Sequence, residues 1–413
     1  NPVHINSNKE QVDGIVKALE FTPQLIFQGP PGTGKTFLMA ELVEHLLSQN
    51  KSILVTAMTN RALMELAEKD CLKKILSERR IMKTSVSSDE LTVCKNIVPI
   101  DSKKITCVPG SLTLTTFYNS SGWAKLCYNE RPFDYVIMDE ASQALFGMIA
   151  ASKNLGQKVI WIGDQNQMQP IVLLSKESLI RNDFTMLANG FVTLCDTFDF
   201  KSYILTETHR LLTKSAKLTS IFYHTPIKSV AEFDYIFAKN NLNYLPKDGG
   251  TVLLYKKMPV GEKADKDCCD FTIGIVKDIL SAQPKIKIAV LTKFRAAVRM
   301  LQNRFVSRYG SKDNVLIDTV ERVQGLTCDV CIYYIPNTMM SMSLDKPLFN
   351  VATSRAKQLS IIIADNSILN TPCHRDVQSY LLEISSGIIS NQQKDTSAEQ
   401  KENVIERSNI KLH

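Results

Sequence analysis

No apolar run in the 413-residue sequence reaches the roughly 18–20 residues needed to cross a bilayer, and no signal peptide opens it. A membrane helix and a membrane partner are therefore not expected. The ten cysteines lack any framework of paired spacings. Cys328 and Cys331 form a C-x-x-C with no second pair or histidine cluster beside it, and they lead into the apolar run 330–335. That places them at the start of a strand, not in a zinc site. Unpaired thiols in this number predict a reducing, intracellular setting, cytoplasmic or nuclear. Strong charge is also missing: a net +7 is compatible with a polyanionic partner and does not require one. The first residue is not Met, which predicts a fragment or a processed product.

What is present begins with residues 25–36, a short apolar run emptying into a glycine-rich turn and then an amphipathic helix. Gly29-Pro30-Pro31-Gly32-Thr33-Gly34-Lys35-Thr36 satisfies G-x-x-x-x-G-K-[ST]. In such a loop backbone N–H groups turn toward phosphates, Lys35 reaches the β- and γ-phosphates, and the Thr36 hydroxyl ligates Mg²⁺. The helix predicted over 37–49 aims its N-terminal dipole at the same anion. At this length two or three domains are expected, and 44% hydrophobic residues can fill their cores.

Along the chain, residues 8–20 read as an amphipathic helix carrying Gln11, whose amide can both donate to and accept from an adenine edge. A buried strand over 52–56 leads to a polar turn at Asn60. Segment 77–107 is polar, rich in Ser and Lys and weakly periodic, and reads as an insertion, not a core element. A strand over 112–116 ends in the hydroxyls Thr115 and Thr116. The apolar run 133–138 delivers Asp139 and Glu140 to its carboxyl end, where α/β sheets place ligands. Asp139 can hold Mg²⁺ through water there, and Glu140 can polarise the attacking water. Residues 158–163 repeat the design and lead to Gln167, an amide able to orient that water. From about residue 200 a second α/β alternation starts, with strands over 251–255, 286–291, 315–319 and 359–364, and it carries no phosphate loop. Within it, the small-residue stretch 350–357 reads as a helix start presenting Arg355 outward. Beyond 388 the sequence is poor in apolar residues and reads as a disordered tail.

Taken in order, Gln11, the loop 29–36, Asp139-Glu140-Ala-Ser, Gly163-Asp164-x-x-Gln167-x-x-Pro170, His209-Arg210, Val323-Gln324-Gly325 and Asn350-Val-Ala-x-x-Arg355-Ala-Lys357 resemble the motif series of superfamily 1 helicases. The branch is that of the nonsense-mediated-decay helicase and its RNA- and DNA-acting relatives. The resemblance spans about residues 5–365. It implies an α/β fold of two tandem RecA-like P-loop NTPase domains with parallel sheets, 1–199 and 200–387, with ATP in the cleft between them. It implies Lys35, Glu140, Gln167, Arg210 and Arg355 as the catalytic set, with the two arginines as fingers acting across that cleft. Gln11, the loop, His209, Gln324 and Gly325 would meet the nucleotide; Thr36 and Asp139 would hold Mg²⁺. Thr56, Asn60, Thr115, Thr116, Thr292, Lys293 and Thr319 would grip a single strand, mostly through hydroxyl and amide donors to phosphates.

Two positions depart from the family pattern: His209 stands where relatives commonly have a different aromatic residue, and Thr327 stands where they often have Glu. The implied activity is an ATP-dependent translocase and helicase, a monomeric motor moving 5′ to 3′ on single-stranded nucleic acid, RNA slightly favoured over DNA. Protein partners would engage it through flanking domains outside this sequence. The alternative is a nucleotide-gated RNA clamp in a ribonucleoprotein assembly, which hydrolyses slowly without processive unwinding. A signalling GTPase is excluded by the lack of an Asn-Lys-x-Asp base reader, and it leaves the second domain unexplained.

Overall fold

A computed structural model describes residues 3–5, 8–127, 130–223, 225–239, 242–323 and 325–385. The chain divides into two compact units: Asn1–Arg210 with Ile227–Ala231, and Leu211–Pro226 with Glu232–His413. The tail expected beyond 388 lies outside the described residues.

The first unit is built on a sheet of nine strands, all paired in parallel. The strands are β1 (Val3–Ile5), β2 (Gln24–Gln28), β3 (Ile53–Ala57), β4 (Ile81–Thr84), β5 (Val98–Ile100), β6 (Leu112–Thr116), β7 (Phe133–Met138), β8 (Gly156–Gly163) and β9 (Lys201–Leu205). Their spatial order is β1-β9-β2-β8-β7-β3-β6-β4-β5. The central strands are near-continuous apolar runs, as expected when helices cover both faces. On one face helix Lys35–Ser48 buries Leu38, Leu42, Val43, Leu46 and Leu47, while Phe37 turns outward. The opposite core gathers Phe117, Trp123, Trp161 and Phe191. Asp134, the polar residue within β7, accepts both the backbone N–H and the hydroxyl of Ser52 at 2.8 Å, which ties the entry of β7 to that of β3.

Segment 77–107 differs from the expected insertion. It supplies β4 and β5 to the sheet, and Ile81, Cys94 and Ile97 to the core. Its polar character hides a fully buried Lys83, whose ammonium meets Glu90 at 3.1 Å and donates to the carbonyls of Thr84 and Ser85. A buried charge survives only when it is paired and hydrogen-bonded in this way. The domain boundary also shifts. Residues 201–205 form β9, which pairs with β2 inside the first sheet, so the first unit runs on to Arg210 and not to 199. A two-residue strand β10 (Glu207–Thr208) then pairs with β11 (Lys228–Ser229) in the same unit.

The second unit has five parallel strands, β12 (Gly250–Tyr255), β13 (Ile288–Thr292), β14 (Val315–Thr319), β15 (Cys328–Tyr334) and β16 (Ala356–Ala364), in the order β12-β16-β15-β13-β14. Cys328 does open a strand. Helix Lys266–Ala282 starts at Asp265, whose carboxylate accepts the Cys268 N–H at 2.8 Å, and buries Ile273, Val276 and Ile279 on the sheet. Phe222, Phe349 and Tyr380 form an aromatic cluster with centroids 5.3–6.2 Å apart.

Candidate active site

The sheet order sets three strand ends of the first unit side by side: β2 with the glycine loop, β8 with Asp164 and β7 with Asp139. The Gly29 N–H donates to Gly163 O at 3.1 Å, fastening the loop to the end of β8. Gly32 and Gly34 sit in the left-handed region at φ 71° and 80°, where a side chain would be strained. The Thr33 hydroxyl donates to Pro30 O at 2.8 Å, and the Lys35 ammonium donates back across the loop to Gly29 O. Thr36 is half-buried in the first turn of helix Lys35–Ser48, which begins two residues before the predicted start.

Asp139 is 5% exposed and accepts the Glu140 N–H at 2.9 Å. Burial pushes its carboxyl above the ordinary value, opposed by the Glu140 N–H and the nearby Lys35 ammonium. Glu140 itself adopts φ 51°, a conformation costing roughly 1–3 kcal/mol that tends to collect at functional sites. Its carboxylate accepts from Gln143 Nε2 at 2.9 Å, which fixes its rotamer. Gln167, 6% exposed, donates to Asp164 Oδ2 at 2.8 Å, while the other oxygen of Asp164 accepts the Asn166 N–H at 3.0 Å. The donor set of hydroxyl, buried carboxylate and anion loop fits a hard, oxygen-liganded cation beside phosphates.

A buried carboxyl with a raised folded pKa weakens the native state at every pH above that pKa, and the cost fades as pH falls through it. Asp139→Asn is therefore expected to raise the melting temperature of the nucleotide-free protein at pH 7–8 while abolishing hydrolysis. A melting temperature that falls, or does not move, in a pH series of thermal scans would contradict this reading of Asp139.

The other predicted residues separate into those the structure brings to the loop and those it does not. His209 is exposed and donates its N–H to Gly32 O at 2.9 Å. Arg210 packs so closely that a Cβ on Gly32 would lie 2.3 Å from Arg210 Cβ. Arg210 thus belongs to the same unit as the phosphate loop, a correction to its placement in the second domain. Arg355 also differs from expectation. Residues 346–353 are a helix, so Arg355 follows a helix end, and its side chain is 2% exposed. Its Nε donates to Val351 O at 3.0 Å, the reach expected of a side chain folded back over the last helical turn. Gly325 is exposed at φ 82°. Gln324 and the Gln11 side chain lie outside the described residues; the Gln11 backbone belongs to helix Asn8–Phe21.

Of the proposed strand contacts, Asn60 is exposed and Thr116 half-buried at the carboxyl ends of β3 and β6. Thr56 and Thr115 are fully buried, with hydroxyls bonded to Ser120 at 3.2 Å and Thr84 at 2.8 Å, so they serve the sheet interior and not a surface. In the second unit Thr292 is buried, Thr319 is 7% exposed, and the Lys293 ammonium is engaged by Glu321. Three residues outside the predicted set prove to hold the site: Asp164 behind Gln167, Gln143 behind Glu140, and Thr208, whose hydroxyl donates to Pro31 O at 3.0 Å. The spacing of Asp164 and Gln167 was visible in the sequence; the tie from Thr208 to Pro31 spans 177 residues and was not.

Two family models, each described as an AAA domain, match residues 6–173 and 194–367. The chain is 26% identical over 408 residues to the DNA replication ATP-dependent helicase/nuclease DNA2 of Saccharomyces cerevisiae, covering 88% of this chain and 26% of that protein. It is 22% identical over 449 residues to the human RNA helicase Mov10l1, covering 94% and 35%. Among solved structures, the Arterivirus nonstructural protein 10 helicase aligns over 84% of this chain and 62% of its own at 17% identity, with a TM-score of 0.46. The chain thus spans about a quarter to a third of the length of these two curated relatives. Among the described residues no helix is long and apolar enough to cross a membrane.

Proposed function

Because this chain belongs to the superfamily 1 helicases, with two AAA domains in tandem, we propose that it is an ATP-hydrolysing motor acting on single-stranded nucleic acid, RNA or DNA, moving 5′ to 3′. The observation that carries this reading is the convergence of the glycine loop, Asp139-Glu140 and the Asp164–Gln167 pair on one edge of the first sheet. The loop amides and Lys35 bind the β- and γ-phosphates. Thr36 and Asp139 would hold Mg²⁺, which when bound would supply charge neutralisation on the phosphate oxygens. Glu140, held by Gln143, accepts a proton from the attacking water, and Gln167, held by Asp164, orients that water. Arg210 stabilises the charge that develops on the transferring phosphoryl group. Asn60 and Thr116 are the surface donors of the first domain suited to a phosphate backbone.

The test is steady-state ATPase with and without single-stranded RNA and DNA over a salt series. Turnover is expected to rise when a strand is added, and the strand affinity should fall with log salt at a slope of about −0.7 for each phosphate contact. A rate indifferent to both polymers would remove the motor reading. Strand displacement on a tailed duplex then distinguishes a translocating helicase from a clamp that only binds.

A further inference from the structure

The Thr208 side chain is fully buried, and its hydroxyl donates to Pro31 O at 3.0 Å while accepting the Arg210 N–H at 3.4 Å. One residue on, the His209 N–H donates to Gly32 O at 2.9 Å. A trans peptide is planar, with its C=O and the following N–H on opposite sides. Holding Pro31 O against Thr208 therefore turns the Gly32 N–H the other way, while the Thr33 N–H turns inward to Pro30 O at 3.4 Å. At the Pro31-Gly32 peptide the loop thus offers an N–H, not a carbonyl oxygen, to the side away from Thr208, which is the arrangement an anion requires. Gly32 leaves no slack in this contact, since a Cβ there would lie 2.7 Å from Thr208 Oγ1.

We propose that Thr208 is a positioning residue for nucleotide binding: its hydroxyl locks the Pro31-Gly32 peptide so that the Gly32 amide faces the phosphates. This rests on the phosphate-loop reading above. The lock is anchored in the fold, because β10 is itself held by the Val230 N–H donating to Thr208 O at 2.9 Å. It also lies where the chain leaves the first unit, two residues before the division after Arg210.

Thr208→Val keeps the side-chain shape and removes the donor, leaving Pro31 O buried without it and the peptide able to turn a carbonyl toward the anion. The dissociation constant of a fluorescent ATP analogue and the KM for ATP are expected to rise about ten-fold, with kcat at saturating ATP changing less than about three-fold, because the amide contact is made in ground and transition states alike. Thr208→Ser restores both. Thr208→Ala provides a second donor-free variant should the valine not fold. A donor-free variant that is folded and merely less heat-stable, with unchanged nucleotide affinity, overturns the proposal, and so does an equal loss in Ser and Val. Lys35→Ala separates the two levels of the argument. If it binds nucleotide as the parent does, the phosphate-loop reading falls and Thr208 with it; if it loses binding while Thr208→Val does not, Thr208 alone is excluded.

Discussion

Glu140→Gln is expected to lower ATP turnover by about 10²–10⁴ while leaving ATP binding close to that of the parent protein. On the proposed reading the carboxylate acts on water: it belongs to the residue after the buried Asp139, its backbone is held in the left-handed region, and Gln143 fixes its rotamer. A Gln is isosteric and can keep an amide–amide contact with Gln143, so the change removes proton acceptance and little else. Lys35→Ala is the complementary case. Lys35 reaches across the loop to Gly29 O, and on the proposed reading its charge would meet phosphate oxygens already in the ground state, so both affinity and turnover are expected to be lost. Equilibrium binding of a fluorescent ATP analogue alongside steady-state hydrolysis separates the two patterns. Near-parental turnover in Glu140→Gln would remove Glu140 as the base and direct attention to Gln167 and Asp164.

The parts of this protein legible in the sequence are those where chemistry is local. The phosphate loop and the Asp139-Glu140 pair each follow an apolar run that ends abruptly in polar residues, and both occupy strand ends in the structure. The second-domain strands were likewise read to within a few residues, because each is a compact apolar run between turn signals. What escaped was decided by distant pairing. β4 and β5 are only four and three residues long, and β4 contains the buried Lys83, so no periodicity marks them. β9 enters the sheet between β1 and β2, a non-local choice that no run of residues announces, and it carried the first unit onward to Arg210. Thr56 and Thr115 look like backbone donors at strand ends, yet their hydroxyls are engaged by Ser120 of helix Phe117–Leu126 and by Thr84 of the neighbouring β4. Arg355 was misread because Ser354 caps the end of a helix, and the same small residues that suggest a beginning also suit a close.

Arg210→Ala is expected to lower kcat by about 10³ or more while nucleotide affinity falls much less, the signature of an arginine that acts on transition-state charge. This arginine is carried by the same unit as the phosphate loop. It follows Thr208 and His209, which bond the carbonyls of Pro31 and Gly32, and its Cα would lie 3.3 Å from a Cβ placed on Gly32. The side chain therefore leaves the wall of the phosphate loop itself, from a half-buried residue on a backbone anchored to that loop at two points. Replacement by Lys is expected to rescue little, since an ammonium is a point charge and cannot place a planar fork on two phosphate oxygens. If Arg210 served only in packing or a surface ion pair, its removal would cost at most about 1 kcal/mol of stability and leave turnover intact. Steady-state ATPase of Arg210→Ala and Arg210→Lys at saturating ATP and single-stranded RNA, with melting temperatures measured in parallel, decides between these roles. Parental turnover in both variants would leave the first domain without a finger of its own, and the charge on the transferring phosphoryl group would have to be met by Lys35 or by Arg355 of the second unit.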